Sequence, residues 1–324
     1  MRTFKLKNYL CAPVAFLLLA GIACALPAQA AGYRYTTIDY PGALCTSGWG
    51  INDSGDVLGT AAFSVDCSGT TFSFIYHAIN GTFTVLPTVP GAVATTAIGI
   101  NQWGVIVGSA GDGTATTDVG LILNQGAFTF FTHPGSLFTQ GRAIGNSGIV
   151  TGYSIDSASN DIPFIYDPTR NSFIDITVPG LRPFPSFSVA QGINGKGEVV
   201  GSFNLYADSV YPGSSSGPYG FLRDKHGVIT LFRVNGFLTR PRGITESGRI
   251  AGFLLDEGTG KDRGFVVTLT GRGGFQSPTV PDADLLDVPG SVGTIVESID
   301  DLGRVSGNWT DGAGGTHGFL ATPD

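Results

Sequence analysis

The chain has 324 residues, 18 of them basic and 25 acidic, and only 13% are charged. Its 49 glycines and 22 phenylalanines, with many Thr and Val, favour strands over helices. The acidic balance, without a Lys/Arg cluster, excludes a partner held by its phosphate backbone, so no nucleic acid is expected.

Residues 1–30 read as a cleaved secretory signal. Arg2, Lys5 and Lys7 form a positive start, apolar residues dominate from Leu10 to Leu26, and Ala28-Gln29-Ala30 fits the small-x-small cleavage rule. An uncleaved membrane anchor is the rival reading. A lipoprotein signal at Cys24 fits less well, because Gly21 stands where Leu is preferred. No later segment is apolar and long enough to span a bilayer. The expected mature chain, 31–324, is one exported domain: secreted, periplasmic or at the cell surface, and monomeric. It has 15 basic against 25 acidic residues, a net charge of about −10.

Cleavage leaves two cysteines, Cys45 and Cys67. In an oxidising compartment such a pair is most simply a disulfide, with two free thiols as the alternative. The CxxC or Cys/His spacing of a zinc site is absent, and neither a metal nor a cofactor is expected.

The mature chain opens on YRYTTIDYPG (33–42), a β-rich run closing on a turn. GINDSGDVLG (50–59) follows and then recurs. GINQWGVIVG (99–108) and GINGKGEVVG (192–201) are close copies. AIGNSGIVTG (143–152), GITESGRIAG (243–252) and SIDDLGRVSG (298–307) are weaker ones. The phrase ends in Gly at 59, 108, 152, 201, 252 and 307, at intervals of 49, 44, 49, 51 and 55 residues. Each copy opens a unit. A polar loop leads to a short apolar run such as FSFIY (72–76) or PFIY (163–166), and a last β-rich run such as NSFIDITVPG (171–180) closes on a turn. The fifth unit is stretched, with GRGGFQSPTVPDADLL before DVPG (287–290).

About 50 residues and four short strands per unit match one blade of a β-propeller. The sixth unit stops after GFLATPD without a fourth strand, and YRYTTIDYPG has that strand's pattern. The spacing therefore predicts an all-β, six-bladed propeller of four-stranded blades, its ring closed by the mature N-terminal strand completing the last blade. A linear β-solenoid is the rival and does not need this complementarity.

In the propeller reading the phrase forms the inner hairpin. Gly50, Gly99 and Gly192 permit close approach of neighbouring blades near the channel. Asn52 suits the start of a tight turn, and Gly55 tolerates positive φ. Gly59 leaves room for an aromatic from the third strand, with Phe74, Phe164, Phe221, Phe265 and Phe319 as candidates. The phrase itself is thus expected to be structural.

The pattern [AS]-x-G-I-N-x-x-G-x-[IV]-[VA]-G followed by G-F-L resembles the HAF repeat of predicted bacterial extracellular proteins, over essentially all of the mature chain. The third copy departs, with Ala143-Ile144-Gly145, and so does the sixth, with Ser298-Ile299-Asp300. The resemblance implies export and a repeated β-structure. It supplies no catalytic residues.

A blade's second-to-third loop shares a face with the blade-to-blade connections. Cys45 and Cys67 therefore fall on one face near one blade, which supports their pairing. The long, variable loops lie on that same face, where a rigid scaffold tends to carry function. Tyr206 and Tyr211 stand in its longest loop, SFNLYADSVYPGSSSGP (202–218); Phe184, Phe187 and Trp309 approach the same surface. Such aromatics stack on sugar rings, or simply pack the loop onto its blade. Asp118, Asp161 and Asp262 occupy one repeat position, in DVGL, DIPF and DRGF. They suit a polar ligand, or ordinary turn capping. No HExxH, GxSxG or GxGxxG-plus-acid context appears. The expected function is a binding or interaction module for a glycan or extracellular protein at the long-loop face. The alternatives are an extracytoplasmic polysaccharide hydrolase or lyase using loop carboxylates, and a structural cell-surface protein.

Overall fold

The N-terminal strand β1 (Tyr33–Ile38) is hydrogen-bonded along its whole length to the C-terminal strand β24 (Thr316–Pro323), from Tyr33 opposite Pro323 to Ile38 opposite Gly318. The computed structural model describes residues 32–324 apart from 69–70, 112–116, 178–186 and 211. The expected signal at 1–30 lies outside the described residues.

The described strands form six sheets, antiparallel but for one added strand, arranged as a six-bladed β-propeller. Blade one holds β2 (Cys45–Ile51), β3 (Asp56–Ala62), β4 (Thr71–His77) and β5 (Thr82–Val85). Blade two holds β6 (Ala94–Ile100), β7 (Ile106–Gly111), β8 (Val119–Asn124) and β9 (Ala127–Phe131). Blade three holds β10 (Ser136–Ile144), β11 (Val150–Asp156), β12 (Asp161–Asp167) and β13 (Ser172–Asp175). Blade four holds β14 (Val189–Ile193), β15 (Val199–Leu205), β16 (Gly217–Arg223) and β17 (Ile229–Phe232). Blade five holds β18 (Leu238–Ile244), β19 (Ile250–Asp256) and β20 (Lys261–Val267). In blade six β22 (Gly293–Ile299) and β23 (Val305–Thr310) lead to β24, and β1 is the outermost strand.

Blade five departs from the four-strand plan. Its next strand, β21 (Gly274–Gln276), leaves the blade and runs parallel to β17, making blade four five-stranded. Leu286 then meets Gly264 in a single antiparallel bridge where a fourth strand would lie. Leu285, Leu286 and Val288 are buried there. The stretched linker of this unit is long enough to visit the neighbouring blade and return.

The repeat phrase explains the core. Phe74, Phe164, Phe221, Phe265 and Phe319 are each fully buried and stand opposite the last Gly of the phrase in their own blades. A Cβ on Gly59 would overlap the Phe74 ring, so the glycine is what lets the aromatic lie over the second strand. Each such ring contributes roughly 2–3 kcal/mol of burial. Blade two uses Leu121 in that place. Nearer the axis, a Cβ on Gly99 would come within 2.7 Å of the Arg142 carbonyl oxygen in the next blade. Gly50 and Gly192 meet Ile98 and Arg242 in the same way, at 2.8 Å each.

The Asn of the phrase closes the hairpin turn. Asn52 Oδ1 accepts from the backbone N–H of Ser54 at 3.1 Å and of Asp56 at 3.0 Å, and Gly55 takes φ 86°. Asn101 and Asn194 repeat this, and their Nδ2 groups also donate to the carbonyls of Gly145 and Thr245 in the following blades. The same side chain therefore sets the turn and ties one blade to the next.

Candidate functional site

Each first strand carries one β-bulge, at the same position of the repeat. The register to the second strand slips between Gly48 and Ile51, Ala97 and Gly99, Gly141 and Ala143, Ala190 and Gly192, Pro241 and Gly243, and Val296 and Ser298. The residues inserted there are Trp49, Ile98, Arg142, Gln191, Arg242 and Glu297, and all six line one pocket of about 100 Å³ in the central channel. In a regular strand residues two apart share a face. The bulge breaks that relation. Thus Ile51, Ile100, Ile144, Ile244 and Ile299 stay in the cores between blades while the residues two before them turn to the channel.

The ring is chemically lopsided. Trp49 and Ile98 form one apolar arc. Arg142, Gln191, Arg242 and Glu297 form the other. Arg142 donates through Nε to Gln191 Oε1 at 2.9 Å and through Nη1 to Gln140 Oε1 at 3.2 Å. It also lies 5.5 Å over the Trp49 ring. Gln140 Nε2 donates to Ser109 Oγ at 3.1 Å, and Ser109 Oγ donates to Asp118 Oδ2 at 3.3 Å. A chain of polar contacts thus runs from the third-strand entry of blade two into the channel. Arg242 Nε lies 3.3 Å from Glu297 Oε2, with side chains only 13% and 7% exposed. The distance is that of an ion pair, but Nε is not aligned as a hydrogen-bond donor.

Burial pushes the Arg142 guanidinium down to about 10; the Arg242 charge adds to this and Glu297 opposes it. Arg240 is lowered by the same causes, burial first and Arg242 second. Burial raises the Asp161 carboxyl against hydrogen bonds from the backbone of Phe187 and Ser188. Burial also raises Asp262, against the charges of Arg240 and Arg242. The Tyr153 phenol is raised by burial, with Arg142 lowering it and Asp161 and Asp118 adding to the rise.

The three equivalent aspartates each have a different neighbour. Asp118 is buried against Ser109. Asp161 accepts from the Phe187 backbone N–H. Asp262 lines a second cavity of about 310 Å³ with Arg240, Phe253, Leu238, Leu255 and Pro218 at the boundary of blades four and five. Arg240 also lies 5.8 Å over the ring of Phe187.

Tyr206 is 46% exposed. Trp309 stacks on His317 at 4.5 Å between ring centres and is partly buried. Tyr211 and Phe184 lie outside the described residues. Cys45 and Cys67 are disulfide-bonded, as expected, with Cα atoms 5.3 Å apart. Among the described residues no group of three or more His, Cys, Asp or Glu is placed to hold a metal ion. No helix of the described residues is long and apolar enough to cross a membrane.

The channel ring is what sequence reasoning missed. Its signal was present: the residue two before the Ile of each copy changes from Trp to Ile, Arg, Gln, Arg and Glu, while the residue between them stays Gly, Ala or Ser. Without knowledge of the bulge, that variation reads as a tolerant surface position.

No protein-family model matches the chain, and no curated protein matches it. Solved structures do. The chain is similar to a prolyl endopeptidase at 12% identity and a TM-score of 0.46, over 90% of this chain and 42% of that one. It is similar to the β-propeller domain of the Trilobed protease from Pyrococcus furiosus at 9% identity and 0.47, over 86% and 97%. It is similar to TolB from Acinetobacter baumannii at 12% and 0.39, over 93% and 75%. The chain thus spans less than half the length of that prolyl endopeptidase.

Proposed function

We propose that the chain is an exported binding module whose ligand, a glycan or an extracellular protein, docks at the long-loop mouth of the channel and reaches its waist. One observation carries this reading. The repeat holds its glycines, its bulge and its core aromatic nearly constant, yet places six side chains of five kinds around the channel. A channel serving only as packing has no need for three partly buried charges, because each costs free energy of desolvation. The disulfide and the HAF-like repeat support export.

A glycan and extracellular-protein array tests it. Reproducible binding by the folded mature chain, lost when Arg242 and Glu297 are both replaced by Gln, is the expected result. An array without reproducible binding, with working positive controls, overturns it.

A second reading, a polysaccharide hydrolase or lyase, is favoured by the raised carboxyls of Asp161 and Asp262, since raising a carboxyl moves it toward the range in which it can act as a general acid. Release of reducing ends that falls at least 100-fold in Asp161→Asn or Asp262→Asn supports it; no release from a polysaccharide panel removes it.

A further inference from the structure

We propose that the waist of the channel is a binding site for a single carboxylate group, held by Arg142 and Arg242 with the carbon skeleton of the ligand against Trp49 and Ile98. The inference rests on the channel being the functional site and adds the chemistry of what it takes.

Arg142 is the starting point. Its partners are two amide oxygens and an aromatic face, all neutral. Among the described residues no carboxylate lies within ion-pair distance of it, whereas Arg242 has Glu297 at 3.3 Å. A guanidinium removed from water without a counter-ion is costly to keep. The amides of Gln191 and Gln140 fix its orientation but do not neutralise it. The two arginines sit two blades apart, either side of Gln191; the Arg242 charge disfavours that of Arg142, and the Glu297 charge favours it from beyond ion-pair distance. At the six bulge positions two cations and one carboxylate leave one positive charge in excess, while Asp53, Glu246, Asp300 and Asp301 line the same pocket from the hairpin turns, Asp300 paired with Arg304.

The size and valence of the missing partner follow. One uncompensated charge matches a monoanion, while Glu297 disfavours a dianion such as phosphate by like-charge repulsion. Guanidinium groups present parallel N–H donors that fit the two oxygens of a carboxylate. The pocket of about 100 Å³ holds about three water molecules at roughly 30 Å³ each, which suits a carboxylate with a few carbons. Trp49, under the Arg142 guanidinium, and Ile98 line the same space and offer an apolar surface to the carbon skeleton.

Isothermal titration of the folded mature chain tests this, with isobutyrate, glucuronate, isobutyramide, glucose and inorganic phosphate as probes. The expected result is binding of at least one carboxylate tenfold or more tighter than its neutral counterpart and tighter than phosphate. Isobutyrate binding alone points to a free small acid, and glucuronate binding alone to an acidic sugar. Two variants decide the site. Arg142→Gln should weaken carboxylate binding at least tenfold. Gln191→Glu keeps both arginines, supplies the counter-ion from within, and should abolish binding while the fold persists by circular dichroism. No carboxylate binding, equal binding of phosphate, or an unchanged affinity in Gln191→Glu overturns the proposal. If neutral glycans or proteins bind the channel mouth while every carboxylate fails, this inference falls and the binding-module reading stands. If carboxylates bind and the arrays are empty, the reverse holds.

Discussion

Arg142 and Gln191 occupy the same position of consecutive repeats, 49 residues apart, and meet in the channel at 2.9 Å. Both reach it because the same bulge turns each out of its strand. A repeat that builds blades thus also delivers one side chain per blade to a common point. The chemistry there is set by six positions that the packing leaves free to differ.

Gln191→Leu removes the acceptor of Arg142 Nε while conserving bulk. A buried charged donor left without its partner costs about 1–3 kcal/mol. Urea unfolding should show a lower midpoint with an unchanged slope. An unaltered midpoint would mean that water replaces the amide oxygen and that this part of the channel is well hydrated.

Gly59→Ala should be severe for its size. The added methyl overlaps the Phe74 ring, which is enclosed by Tyr40 and Phe83 with ring centres 5.4 and 5.3 Å away and has little room to move. Overpacking of this kind costs about 1–3 kcal/mol. Gly312→Ala is the control, exposed and with nothing near its would-be Cβ. It should stay within about 0.5 kcal/mol of the wild type. Equal effects at the two positions would contradict the packing role given to the phrase.

The Cys45–Cys67 bridge spans 22 residues of sequence and fastens the long second-to-third loop of blade one to the start of that blade. Chain-entropy arguments give about 3 kcal/mol for a loop of this length. Replacing both cysteines by Ser should lower the melting temperature by several degrees in a non-reducing buffer. The double variant should also be indifferent to dithiothreitol, to which the wild type responds.

His317, on β24, hydrogen-bonds Asp39, just beyond β1, at 2.9 Å, and faces Asp311 at 3.4 Å. Partial burial opposes its charge, but the two carboxylates outweigh it and the imidazole is raised above its ordinary range. A raised folded-state value stabilises the fold below the unfolded value of about 6.5 and loses that contribution as pH rises through the folded one. The stability difference between the wild type and His317→Gln should therefore be largest near pH 5.5 and shrink towards pH 8. A difference that is flat over this range would show that the contact between the chain ends is not charge-dependent.

Much of the fold was legible because packing repeats. Glycines that clear space for Phe74 or for the neighbouring backbone recur wherever the same contact recurs, so the phrase at 50–59 could be read against its five relatives. The complementary ends, YRYTTIDYPG and GFLATPD, pointed to the β1–β24 pairing for the same reason. The excursion of β21 to blade four was visible only as extra length, since three residues beside β17 leave no periodic pattern. The site was less legible. A bulge inserts one residue without altering composition or period, so nothing in Arg142 or Arg242 marks a channel position until the register is known. The aspartates at 118, 161 and 262 were visible by their repeat position, but their partners differ from blade to blade: Ser109, the Phe187 backbone, and the Arg240 cavity.

The central claim is that the channel, not the outer face of a blade, is where this protein binds. Hydrogen–deuterium exchange with the strongest soluble ligand from the arrays tests it most directly. New protection is expected within 140–143, 189–193 and 240–243, the inner segments of blades three, four and five. Protection confined to the outer strands β5, β9 and β13, with these inner segments unchanged, would contradict it.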